Sequence, residues 1–69
     1  MAVGFSTYVV EACYDDRAYA LRVPTLPGCF SQAEFPDEIE PMIRDAISIH
    51  QDVHLMDFEI EVKFVATFD

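Results

Sequence analysis

Only four of the 69 residues are basic, against 13 acidic ones, which gives a formal charge of −9. A field of that sign repels phosphate backbones and anionic membrane surfaces over a Debye length, roughly 8 to 10 Å at ordinary salt. Direct nucleic-acid binding is therefore disfavoured. Glycine is scarce too: Gly4 and Gly28 are the only two, too few for a phosphate-cradling loop. Cys13 and Cys29, in a chain without an export signal, read as reduced thiols packed as small hydrophobes rather than as a disulfide. No apolar run approaches the ~20 residues of a membrane span, and the N-terminus has neither a basic start nor a signal-type core. The expectation is a cytoplasmic protein. Internal repeats, low-complexity stretches and linkers are absent as well, so the reading is one domain over residues 1–69.

What is present is apolar surface, at 52% of residues. A chain this short lies near the low end of independent folding, where one small core only just offsets the entropy of ordering the backbone. More apolar surface than such a core can hide points to burial between chains, hence to a homo-oligomer, a dimer or tetramer. The acidic excess would also speed encounter with a basic partner, although the same acids serve simply to keep a small apolar domain soluble.

The strand pattern opens at Phe5 to Tyr14, where Thr7, Tyr8, Val9 and Val10 are β-branched or aromatic. Tyr8, Val10 and Ala12 point one way, and Phe5, Val9 and Cys13 the other, as expected of a strand in the middle of a sheet. Asp15, Asp16 and Arg17 break the pattern before Tyr19, Leu21 and Val23 resume a period of two, which predicts a β-hairpin whose turn has no glycine. The sheet must pause at Val23-Pro24-Thr25-Leu26-Pro27-Gly28-Cys29, because two prolines remove backbone donors and Gly28 permits a positive φ. A short strand over Cys29 to Gln32 follows.

From Asp37 to about Val53, Ile39, Met42, Ile43, Ala46, Ile47, Ile49 and Val53 recur at helical spacing, with Glu40, Arg44, Asp45, Ser48, Gln51 and Asp52 on the other side. Asp37, Glu38 and Glu40 complement the positive end of the helix dipole. Pro41 fits a first turn better than an interior, so the regular helix is expected to begin nearer Glu40 than Pro36, after an irregular turn. The last segment alternates, with Phe58, Ile60, Val62, Phe64 and Phe68 on one face and Glu59, Glu61, Lys63 and Thr67 on the other. The class is α+β: β-β-β-α-β, one mixed sheet with a single helix on one face. One helix covers one face, which leaves Phe5, Thr7, Val9 and Glu11 on the open face as candidates for an oligomer or partner surface.

Catalytic constellations are weak. His50 and His54 with Cys13 and Cys29 supply the ligand types of a zinc site, but neither cysteine sits in a close pair, and hydrogen-bonded core or interface histidines are the commoner outcome. Glu11 with Asp45 or Asp52 and Glu59 or Glu61 would supply carboxylates for two-metal phosphoryl chemistry, on a sheet order that matches the opening of a ribonuclease H-like fold. These acids read better as solvated surface, and the net charge opposes an RNA substrate. Cys29 has no orienting acid in any recognisable motif. The expectation is no enzyme, no metal and no cofactor.

The run Val23-Pro24-Thr25-Leu26-Pro27-Gly28-Cys29-Phe30-Ser31-Gln32 resembles the HicB antitoxin family, whose pattern is a strand, then V-P-x-L-P-G-C and a short strand leading into an acidic-capped helix. The likeness extends through Asp37-Glu38 and Arg44-Asp45-Ala46-Ile47 and back to Tyr8-Val9-Val10-Glu11, covering about Phe5 to His50. It implies a degraded ribonuclease H-like domain, a solitary HicB-like one, that binds and masks a small basic HicA-type toxin, an mRNA-cleaving protein. Pro24, Leu26, Pro27 and Glu34 are then the candidate partner contacts. Three departures stand out: a hairpin turn without the family's glycines, Pro41 inside the helix, and no counterpart of the C-terminal DNA-binding domain of full-length HicB proteins, so promoter repression is not expected. The alternatives are a self-associating HicB-like domain without a toxin, and a relict of a metal-dependent nuclease.

Overall fold

The computed structural model describes residues 6–68. Strands β1 (Ser6–Tyr14), β2 (Tyr19–Arg22) and β3 (Phe30–Ala33) are followed by a 3-10 turn (Pro36–Glu38), helix α1 (Ile39–Gln51) and strand β4 (Phe58–Val65). The sheet order is β3-β2-β1-β4. β2 runs antiparallel to both β1 and β3, whereas β4 is parallel to β1. β3 and β4 therefore point the same way from opposite edges, and α1 carries the chain back across the sheet. The expected α+β architecture, with one mixed sheet and one helix, is the observed one.

β1 sits in the middle because both its faces can be covered. Val10 and Ala12 are fully buried on the helix side, with Tyr8 packed against the same core, while Val9, Glu11 and Cys13 are half-buried on the other. Phe5, expected on that second face, lies outside the described residues.

The hairpin between β1 and β2 manages without glycine because Asp16 itself takes φ +79°, a conformation that aspartate tolerates better than most residues. The Asp15 amide donates to the Ala18 carbonyl at 3.1 Å, and the Asp15 carboxylate accepts from the Arg17 and Ala18 amides. This is an Asx-type turn, in which the side chain does what a glycine-based backbone would otherwise do.

The helix begins as its prolines require. Pro36 opens the 3-10 turn, and Pro41 is the third residue of α1, where its missing N–H would have had no partner within the helix. The Glu38 carboxylate reaches back to the Glu34 and Phe35 amides. At the other end Asp52 takes φ +54°, and the Asp52 and Val53 amides both donate to the Ser48 carbonyl, which stops the helix at Gln51.

The buried stripe of α1 is narrower than its sequence suggests. Ile39, Ile43 and Ile47, spaced by four, meet Val10, Leu21 and Phe58 in the core. Each large side chain so buried contributes about 1.5 to 3 kcal/mol. Met42 is 45% exposed and Ile49 74%, and Val53 lies beyond the helix end. Arg44, expected on the polar side, turns inward instead: its Nη1 donates to the carbonyls of Leu55 at 2.9 Å and Phe58 at 2.8 Å, and its guanidinium lies over the Phe58 ring. It thereby ties α1 to the start of β4.

Phe68 also departs from expectation. β4 ends at Val65, so the alternation stops there, and Phe68 crosses to the open face, where its ring lies 4.4 Å from the Arg22 guanidinium carbon. The Cys13 thiol on that face donates to the Ala66 carbonyl at 3.4 Å. The open face thus has an intrachain partner over part of its area, which the alternation of β4 alone did not suggest.

Candidate functional site

Two turns share the segment between β2 and β3. The Leu26 amide donates to Val23 and the Cys29 amide to Leu26. In the first turn Pro24 holds the second position, and in the second Pro27 and Gly28 hold the two central ones. Gly28 has φ +85°, which is the third-position geometry of a type II turn and strains any L side chain. A type II turn directs the central carbonyl outward, and here that carbonyl, of Pro27, accepts from His50 Nε2 at 3.0 Å. The carbonyl can only accept, which places the proton on Nε2 and leaves Nδ1 to accept from the side-chain Nε2 of Gln51 at 2.7 Å. His50 thus pins the loop to the end of α1. His54 is also exposed, and its Nδ1 accepts from the Met56 amide. Neither histidine is a core residue; both are local ties.

Pro24 and Pro27 are exposed on this loop, while Leu26 is half-buried against the core. Glu34 is exposed too, but at the far end of β3, roughly 13 Å of strand away at ~3.3 Å per residue. The fold therefore gathers the three loop residues and separates Glu34 from them.

On the open face the pairing registers Thr7–Glu59, Val9–Glu61 and Glu11–Lys63 set β1 and β4 residues side by side, with Arg22 of β2 opposite Glu11. The Glu11 carboxylate accepts from Arg22 Nε at 2.6 Å. Asp45 belongs to the helix on the opposite side of the sheet, so Glu11 and Asp45 cannot share an ion. Among the described residues no group of three or more His, Cys, Asp or Glu side chains could hold a metal, and none of the helices is long and apolar enough to cross a membrane. Cys13 and Cys29 are both free thiols. Burial pushes the Cys29 thiol pKa up, which suits a packing residue rather than a nucleophile.

Periodicity missed the exposed apolar surface around α1. Met42, Ile49, Leu55 and Met56 are all at least 41% exposed, and two grooves of about 400 and 540 Å³ flank the helix. A second cluster, Tyr14, Tyr19 and Phe64, stacks at the far end of the helix-side face with ring centroids 4.9 and 5.9 Å apart. The available signal was that Met42 and Ile49 fall out of step with the four-residue spacing of Ile39, Ile43 and Ile47.

The chain is 38% identical over 39 residues to a UPF0150 protein of Archaeoglobus fulgidus; the match spans 56% of each protein, a little over half the length of that relative. No solved structure matches significantly. The family model described as HicB_like antitoxin of bacterial toxin-antitoxin system matches residues 7–67, from the second residue of β1 to the segment that folds back over the open face. The chain belongs to the HicB-like antitoxin family.

Proposed function

We propose that this chain is an antitoxin that binds a small basic HicA-type toxin and masks its mRNA-cleaving surface by occlusion, without chemistry of its own. The observation that carries the reading is the family match over 61 consecutive positions, 7 through 67, which includes both the proline-rich loop and the helix. The charge of −9 supports it, because opposite net charge accelerates encounter between two small proteins and steers their orientation. The sheet order β3-β2-β1-β4 supports descent from a ribonuclease H-like fold, with Glu11 now held by Arg22 rather than set in a metal cluster. In this reading Pro24, Leu26 and Pro27 lie within a partner's reach, Glu34 would touch a second region of it, and the protein works in the cytoplasm as one domain.

The test is an RNA-cleavage assay with a purified HicA-type toxin, taken from any small basic protein encoded next to this gene. Equimolar chain is expected to abolish cleavage, and unchanged cleavage in the presence of a measured excess would refute the reading.

Self-association is a companion property, favoured by the exposed Tyr14 and Phe64, which flank the half-buried Tyr19, and by two strand edges at β3 and β4. Sedimentation equilibrium reads it directly: a dimer or tetramer supports it, and a monomer at high concentration removes it.

A further inference from the structure

We propose that the solvent side of α1 is the docking surface for a cationic amphipathic helix of a partner protein. The antitoxin reading supplies the partner's source, while the surface itself is argued from shape and charge.

Met42, Asp45 and Ile49 are three and four residues apart, so they form one ridge along the exposed side of α1. The smaller groove lies between this ridge and the β3 edge, with Cys29, Ser31, Ala46 and His50 along it. The larger lies between the ridge and the loop that follows the helix, lined by Pro41, Arg44, Leu55 and Met56. A ridge with a groove on either side, as here at Met42 and Asp45, is the relief that a second helix packs against, its own rows of side chains seated on either side. Met42 and Met56 suit such a seat because an unbranched thioether adapts to the shape it meets.

Charge selects the occupant. Asp45 borders both grooves and Glu40 the larger one, with Asp37 and Glu38 exposed at the start of the helix. The cation of this region, Arg44, is already engaged by the Leu55 and Phe58 carbonyls and by Glu40 at 3.8 Å. Glu40 and Arg44 offset each other, so Asp45 with Asp37 and Glu38 leaves the rim net negative around an apolar floor, which fits leucine-type side chains flanked by lysine or arginine. The open sheet face, where Glu59 is also exposed, is more nearly neutralised. Glu11 is paired with Arg22, Glu61 lies 4.0 Å from Lys63, and Phe68 covers the Arg22 guanidinium.

The experiment is an amide chemical-shift titration of the full isotope-labelled chain with a synthetic leucine–lysine amphipathic helix, using a leucine–glutamate helix as control. Shifts are expected to gather at Met42, Asp45, Ile49, Leu55 and Met56. The double variant Asp45→Lys, Ile49→Ser changes two exposed side chains and should weaken binding at least about tenfold, a 1.4 kcal/mol effect. Glu61→Lys, the same charge change on the open face, should leave binding as it was. Shifts centred on Thr7, Val9 and Glu59, equal weakening by Glu61→Lys, equal binding of the glutamate helix, or no saturable binding would each overturn the proposal. A toxin that fails to bind would sink the antitoxin reading without moving these shifts, so the two failures are distinguishable.

Discussion

The two faces of the sheet are held in different ways. The helix side is closed by burial: Ile39, Ile43 and Ile47 seat on Val10, Leu21 and Phe58, all at most 2% exposed. The open side is held by single polar contacts, the Glu11–Arg22 pair, the Phe68–Arg22 stack and the Cys13 thiol on the Ala66 carbonyl. Apolar burial accumulates over many atoms and is not screened by salt, whereas a partly exposed ion pair is worth about 1 kcal/mol or less and weakens with salt. One face thus supplies the stability of the fold, and the other is free to vary with little cost.

Substitutions on each side sharpen that contrast. Ile43→Ala should be the most damaging, costing about 2 to 5 kcal/mol through lost burial and a residual cavity, enough to leave a domain of this size largely unfolded in a denaturant titration. A loss under about 1 kcal/mol would mean that the helix is not the main clamp. Arg44→Met should cost about 1.5 to 3 kcal/mol, because two carbonyls at the α1–β4 junction lose a charged donor; thermal unfolding measures it. Glu11→Gln on the open face should cost about 1 kcal/mol at most, less at high salt, and a larger loss would contradict the asymmetry drawn here.

Two smaller tests probe local geometry. Asp52→Gly relieves a left-handed residue at the end of α1 and should stabilise by a few tenths to about 1 kcal/mol, read from the shift in unfolding midpoint. Cys13 should react with a thiol reagent before Cys29. Burial raises the Cys29 pKa above its unfolded value, so the stability associated with keeping that thiol neutral is fully present below the unfolded pKa and is lost as pH rises through the folded one. Equal reactivity of both thiols in the folded protein would show that Cys29 is not shielded.

Much of this asymmetry was legible in the sequence. The alternation in β1 and β4 and the broken start of the helix around Pro36 and Pro41 follow from local chemistry, and the loop's prolines with Gly28 announced its turns. The departures on the helix share a cause. Helical spacing places Met42, Ile49 and Arg44 as if the helix sat squarely over the sheet, and only tertiary packing decides which edge of the apolar arc is covered. Phe68 kept step with β4 on paper, but the strand ends three residues earlier and a cation on the other face draws the ring across. The grooves beside α1 were the least legible, because a groove is made by residues distant in sequence, as Met56 and Pro41 are.

The most direct test of the antitoxin account is the mass of the native complex recovered from its source cells with this chain as bait, at low and at high salt. The account predicts a small basic protein bound alongside the chain, released as salt rises. Recovery of this chain with itself alone, unaffected by salt, would contradict it.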